Sequence, residues 1–230
     1  TLANSNFEDW RRANSAAERG QFPFTLKKMS VSGALFDLNK LNDVSKNVIS
    51  RMTAEEVYEK ALSWAKEYDL PLYQKLSADE DFAKDVFSID RGTAKPRKDI
   101  ARWCEVGAYY SYFYEDTFAY EALPGSLTPA DAAAVLSRYL EVYDPEAGSD
   151  EWFSTIKGMC EGLGYSPDVK AYKKNPEAFK GHVGDVSGVI RLAVTGRRNT
   201  PDLHAVMRLL GGVRVRQRLQ KAREHYEGGN

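Results

Sequence analysis

Arginine carries a planar fork of five donors, which suits it to the edge of a base or to a phosphate. Three arginines, Arg191, Arg197 and Arg198, stand close together in the stretch GDVSGVIRLAVTGRRNTPDLHAVMRLL, residues 184–210. Arg197, Arg198 and Asn199 form a turn that no hydrophobic core would take in. Thr200 adds a hydroxyl and Leu203 an apolar contact. A cationic turn feeding a helix N-terminus, with its unpaired N–H groups, suits an anion or a polar base edge.

The elements that must position these groups are legible nearby. Val186, Val189, Ile190 and Ala193 recur at i, i+3, i+4 and i+7, which predicts an amphipathic helix over 185–194 with Arg191 turned from its apolar stripe. Gly196 is suited to close it in the left-handed conformation. Thr200-Pro201 has the form of an N-cap followed by proline at the first helical position. Leu203, Val206, Met207 and Leu210 then give the second helix its buried side, and Gly211 ends it. A last helix over 213–226 buries Val215, Leu219, Ala222 and Tyr226, with Arg214, Arg218 and Lys221 as an exposed basic row.

Upstream, a short helix over 7–13, capped by Ser5 or Asn6, is anchored by Trp10, and FPFTLKKMSVS reads as extended. Asp37 caps a helix over 38–51 whose predicted inward face is Leu38, Leu41, Val44 (or Ser45) and Val48. Thr53-Ala-Glu-Glu56 and Ser77-Ala-Asp-Glu80 both have the spacing of a capping box. The first opens a helix burying Val57, Ala61, Trp64, Ala65 and Tyr68; the second opens one burying Phe82 and Val86, with Phe87 as a further candidate. Residues 93–99, TAKPRKD, form a basic loop with the composition of a phosphate-contacting turn, Lys98 included, or of a solvated connector. Val106, Tyr109, Tyr110, Phe113 and Thr117 have helical spacing over 105–118. That spacing favours a packed aromatic core over a base-stacking platform. Helices over 129–143, capped by Thr128, over 150–163, capped by Ser149, and from Ser166-Pro167 to about residue 174 complete an all-α reading.

Composition sets outer limits. The 230 residues are 43% hydrophobic and 28% charged, an ordinary globular balance with ample length for a core. No apolar run approaches a membrane-spanning length, and no signal peptide is visible. Cys104 and Cys160, 56 positions apart, suit reduced, buried thiols rather than a disulfide or zinc site. The net charge of −1 conceals an asymmetry: residues 165–230 hold 13 Lys/Arg and 6 Asp/Glu, and residues 1–164 hold 19 and 27. Only the C-terminal part has the charge of a nucleic-acid binder. Arg197, Arg198, Arg214 and Arg218 from that part, with Lys98 from the basic loop 93–99, are the candidate phosphate contacts. Catalysis finds no footing. His182, His204 and His225 lack metal-ligand spacing, and no phosphate loop, nucleophile elbow or protected carboxylate pair is present.

RLAVTGRRNTPDLHAVMRLLG, preceded by Gly-Asp and followed by a basic helix, resembles the extreme C-terminal segment of bacterial glutamyl-tRNA synthetases. SGALFDLNKLNDVSKNVIS resembles the segment after the nucleotide-binding region of the same enzymes. FEDWRRAN and RGTAKPRKDIARW extend the likeness over essentially the whole chain. No His-Ile-Gly-His-type signature occurs. Lys27-Lys-Met-Ser-Val-Ser32 is not the family's phosphate-stabilising Lys-Met-Ser-Lys-Ser loop, because Val31 stands where its second lysine would be. With Thr1 first and both signatures absent, the chain is expected to be the C-terminal part of a longer ligase that uses ATP and Mg.

The resemblance implies an all-α, multi-helix bundle or cage in two lobes. A connector or stem-contact-like segment, 1–52, would precede anticodon-binding subdomains 53–164 and 165–230. It further implies that Arg191, Thr200 and Leu203 lie on the surface that reads anticodon bases. Leu203 could equally be a core residue. An arginine from the middle helical region serves the first anticodon base in the family. Arg91 matches it, and Arg97 is the alternative because the extra residues of TAKPRKD shift the correspondence. The implied partner is tRNA-Glu, with tRNA-Gln open, for a cytoplasmic monomer that binds neither DNA nor membrane; no cofactor is expected in the chain itself. A helical protein–protein adaptor with a solvated basic end is the competing expectation.

Overall fold

The structure, a computed structural model, describes residues 7–28 and 37–228. The expected caps Ser5 and Asn6, Met29–Ser32 of the Lys27–Ser32 motif and the start of SGALFDLNK lie outside the described residues. The chain divides into two compact units, residues 1–45 and 46–230. In the first, α1 (Phe7–Ala13) sets Trp10 against Phe22 at 5.4 Å between ring centroids, with Phe7 5.0 Å from the same ring.

α2 (Leu38–Ile49) starts as expected, with the Asp37 carboxylate accepting from Asn39 N at 2.9 Å. Its apolar stripe departs from expectation: Leu38, Leu41, Val44 and Val48 are all exposed, and only Ile49 at the end is buried. Helical periodicity shows which residues share a face, and nothing in it says that the face is covered.

In the second unit, α3 (Ala54–Tyr68) has the expected capping box. Glu56 N donates to Thr53 Oγ1 and Thr53 N donates to Glu56 Oε2. Val57, Ala61 and Ala65 are fully buried, whereas Tyr68 is exposed. The second expected box does not form. Pro71 sits inside the first turn of α4 (Leu70–Ala78), and Ser77 lies within that helix, its hydroxyl donating to Tyr73 O. Asp79 is the residue that caps α5 (Glu80–Ser88), accepting from Phe82 N at 3.0 Å.

The predicted helix over 105–118 is replaced by short turns: 3-10 segments at Trp103–Glu105, Ser111–Phe113 and Glu115–Thr117 around the one-turn α6 (Val106–Tyr109). Tyr110, Tyr112 and Phe113 are all buried. A single helix would spread those three positions around its axis; breaking the chain into turns lets each ring enter the core. The packed-aromatic expectation holds although the helix does not.

α7 (Pro129–Val142), capped by Thr128, lies along α12 (Gly212–Glu227), and both pack on α10 (Val183–Thr195). α8 (Ser149–Cys160) has Gly148, not Ser149, at its N-cap. α9 (Val169–Lys174) is capped by Asp168. A two-residue parallel pair, β1 (Tyr165–Ser166) with β2 (Gly181–His182), is the strand structure among the described residues. α11 (Leu203–Leu210) precedes α12. One hydrophobic core runs from Ile49 to Tyr226, so helices on both sides of residue 164 are packed together. Tyr139 of α7 is fully buried there, its hydroxyl accepting from Trp152 Nε1 at 2.8 Å. Cys160 is buried, and burial pushes its thiol up to about 11; Cys104, expected inside, is exposed.

Candidate nucleic-acid interface

Two features hold the turn between α10 and α11 in its shape. Gly196 closes α10 at φ 69°, as the sequence predicts, and a Cβ there would lie 2.0 Å from Ala119 O. Glu121 N donates to Gly196 O at 2.7 Å, pinning the turn to the segment that follows the aromatic turns. The start of α11 then differs from expectation. Asp202 is its N-cap, accepting from Ala205 N at 2.8 Å, and Thr200 and Pro201 precede it, both buried. The Asp202 carboxylate takes the capping role that the Thr200 hydroxyl was expected to fill.

That hydroxyl has another partner. Arg191 Nη1 donates to Thr200 Oγ1, to Thr200 O at 3.2 Å and to Pro201 O at 2.9 Å. The Arg191 side chain is half-buried rather than projecting from the helix. Burial, then the nearby Arg97 guanidinium, push its pKa below the usual arginine value. One amino group is therefore fixed to the turn, while Nε and Nη2 make no hydrogen bond with the described residues. Leu203, 1% exposed, is a core residue, as its periodicity allowed.

The two candidates from the middle region are distinct in kind. Arg91 is spent on backbone: Nε donates to Phe87 O at 2.8 Å, and Nη1 to Ile49 O at 2.6 Å and Met52 O at 3.2 Å. Arg97 instead reaches the turn. It meets Asp99 with two donors, at 2.7 and 3.1 Å, and Nη2 also donates to Tyr109 Oη at 3.4 Å and Asn199 Oδ1 at 3.2 Å. Burial lowers its pKa, and the bonds to Asp99 and Tyr109 outweigh that and raise it. A second tie runs alongside. Asp90, in the left-handed region at φ 58°, accepts from Asp202 N at 3.0 Å. Arg97, Arg191 and Asn199–Thr200 are thus gathered at one place from segments about a hundred positions apart.

The expected phosphate contacts are mostly committed elsewhere. Arg197 donates to Glu121 Oε1 and to Ser111 Oγ, and Arg198 N donates to Glu121 Oε2 at 2.8 Å. The Arg198 backbone N–H, then the two arginines, hold the Glu121 carboxyl below the usual carboxylate range against the opposing effect of burial. A hollow of about 320 Å³ beside them is bounded by Asp99, Tyr109, Glu121, Arg197 and Asn199.

Arg218 corrects the predicted exposed row on α12. It is 3% exposed, gives two donors to Glu115, donates to Val194 O at 2.7 Å and lies over the Phe118 ring. Arg214 is half-buried, with Phe113 O at 3.5 Å. Lys98 is exposed, and no described residue pairs with it.

Asp99, Glu121 and Asp90 were missed by sequence reasoning. Asp99 stands two positions from Arg97 and could have been suspected from that spacing. The Glu121–Arg197 contact spans 76 positions and leaves no local signal.

Among the described residues no group of three His, Cys, Asp or Glu side chains could hold a metal ion. His182 Nδ1 accepts from Gly184 N, His204 Nε2 bonds Ala147 O, and His225 stacks on Tyr120. No helix among them is long and apolar enough to cross a membrane.

What this arrangement offers is the Nε and Nη2 donors of Arg191 beside a second guanidinium, paired with Asp99, and a carboxamide on one helical scaffold. Such a set matches the edge of an unstacked base. Residues 56–223 match the family of anticodon binding domains, and the chain belongs to that family. It is also 44% identical, over 96% of its length, to the glutamate–tRNA ligase of Acetivibrio thermocellus. It is 45% identical over 96% to that of Clostridium perfringens, and 41% identical over 96% to that of Sorangium cellulosum. The chain spans 41%, 41% and 39% of the lengths of these three relatives.

Proposed function

We propose that this chain is the tRNA-binding part of a glutamate–tRNA ligase and that it reads the anticodon loop around Arg97, Arg191 and Asn199–Thr200. The whole protein would use ATP and Mg to attach glutamate to tRNA-Glu, or to tRNA-Gln as well, in the cytoplasm and as a single copy. The 230 residues alone would neither form the adenylate nor charge tRNA. The observation that carries this reading is the coincidence of the family match over 56–223 with the gathering of Arg97 and Arg191 at the turn between α10 and α11. The competing adaptor reading is not supported by that family match.

Roles within the site follow from who is already bonded. Arg191 keeps Nε and Nη2 for a base edge while Nη1 is held by Thr200 and Pro201. Thr200, being buried, serves by orienting Arg191 rather than by touching a base. Of the two middle candidates, Arg97 is favoured, because it is bonded to Asn199 at the turn, whereas Arg91 is bonded to the carbonyls of Ile49, Met52 and Phe87. Leu203 contributes through the core that seats α11.

The test compares tRNA-Glu, its anticodon variants and a charge-matched hairpin. Arg191→Ala should cost about 1–3 kcal/mol with the cognate anticodon and little with an already mismatched one. Arg191→Lys should recover non-specific binding without discrimination, because a point charge lacks the two-pronged geometry. Equal binding of tRNA and hairpin by the unaltered chain would overturn the reading.

A further inference from the structure

Most arginines of the second unit are already engaged, which gives weight to the cations that are not. Arg102, Arg138, Arg197, Arg198, Arg208 and Arg218 each pair with a carboxylate. The side chains of Arg51, Lys95 and Lys98 have no hydrogen-bond or ion-pair partner among the described residues, and all three residues are exposed. They are not scattered. All three line one cleft of about 810 Å³, formed by the α2–α3 turn and the loop 91–98, with no carboxylate among its lining residues.

The cleft has a stiff base. Arg91, which also lines it, donates to Ile49 O at the end of α2, to Met52 O just beyond it and to Phe87 O near the end of α5. Carbonyls at helix C-termini carry partial negative charge. Arg91 neutralises them where they would otherwise repel an anion, and it fastens the α2–α3 turn to the end of α5. Gly92, at φ 72°, then swings the loop out. Three unpaired cations on a prefastened frame bind an anion without first breaking a bond, in contrast to Arg197 or Arg218.

We propose that this cleft binds the phosphodiester backbone of RNA through Arg51, Lys95 and Lys98, and that it is the main phosphate-holding surface of the chain. The proposal rests on the tRNA-binding reading and refines it, moving backbone contacts from the basic helix α12 to the α2–α3 turn and the 91–98 loop. Affinity from phosphate contacts carries no base identity and falls with salt as counterions are released.

The experiment uses the 230-residue chain with tRNA-Glu and its anticodon variants, and measures affinity against salt concentration. Two triple variants are compared: Arg51→Ala/Lys95→Ala/Lys98→Ala in the cleft, and Lys170→Ala/Lys173→Ala/Lys174→Ala on α9. Both remove the same charge from exposed positions. The cleft variant is expected to flatten the salt slope by about 0.7 for each phosphate that is no longer neutralised. Its fold-loss in affinity should be the same for every anticodon, and the α9 variant should stay close to the parent. An unchanged slope in the cleft variant, or equal flattening in both, overturns the proposal. If the parent chain shows no anticodon preference, base reading fails; the slope comparison still decides the cleft.

Discussion

Arg97 and Asp99 meet as two forks: Nε lies 2.7 Å from Oδ2 and Nη2 lies 3.1 Å from Oδ1. The carboxylate thus occupies the geometry that a base edge would need. On the proposed reading, binding through Arg97 would exchange one two-pronged partner for another, and Asp99 would compete with the ligand. Asp99→Asn should tighten RNA binding by up to about fivefold, since partly exposed pairs are worth up to about 1 kcal/mol. The gain should be larger with the cognate anticodon than with one mismatched at the base that Arg97 meets, which raises the ratio between them. Titrations with both RNAs check this; weaker binding would make Asp99 a support for Arg97 instead.

Leu203 separates a packing role from a contact role. It is 1% exposed, so Leu203→Ala should lower unfolding stability by about 2–5 kcal/mol through loss of buried methyl groups and the cavity left behind. Leu203→Met, which keeps most of the volume, should retain both the fold and anticodon discrimination. Denaturant unfolding and RNA titration of the two variants provide the check. Discrimination lost in a stable Met variant would point to direct contact with a base.

Glu121 ties acid stability to the turn. Its folded pKa is lowered, chiefly by the Arg198 backbone N–H and then by Arg197 and Arg198. A carboxyl with a depressed folded pKa stabilises the fold above its unfolded value, and that contribution disappears as pH falls through the folded value. Glu121→Gln should therefore lower the melting temperature at neutral pH. The difference from the parent should shrink as pH drops below about 4.5. A difference independent of pH would mean that the amide replaces the carboxylate only in shape.

Gly196 allows no side chain. Its φ of 69° and the position of Ala119 O, 2.0 Å from where a Cβ would stand, predict that Gly196→Ala costs about 1–3 kcal/mol. The loss should be visible in thermal unfolding before any RNA is added.

Local signals in the sequence were reliable where the chemistry was local. The Thr53 capping box, the Thr128 cap and the Gly196 closure each depend on residues within a few positions, and each formed. Ser77 and Thr200 had the same kind of signal but stood near Asp79 and Asp202, whose carboxylates took the cap. Periodicity found the right faces on α10 and α11, but it could not tell that the α2 stripe stays exposed. Nor could it tell that Arg218, on a helix otherwise rich in surface charge, is buried against Glu115. Of the candidate site, the cationic turn was legible and its bonding was not. Arg97–Asn199 and Arg197–Glu121 join residues 102 and 76 positions apart.

The ties Arg97–Asn199 and Asp90–Asp202 cross between the same two segments, 90–99 and 199–202. Their consequence is energetic bookkeeping that does not separate by residue. Both straps hold the turn to which Arg191 is bonded, so removing either changes the state in which Arg191 is measured, and single substitutions at Arg97 and Arg191 should not sum to the double. Contacting or networked residues commonly couple by about 0.5–3 kcal/mol. Asp90→Gly, which keeps the left-handed turn open to the backbone while deleting the acceptor, should reduce that coupling without touching either arginine.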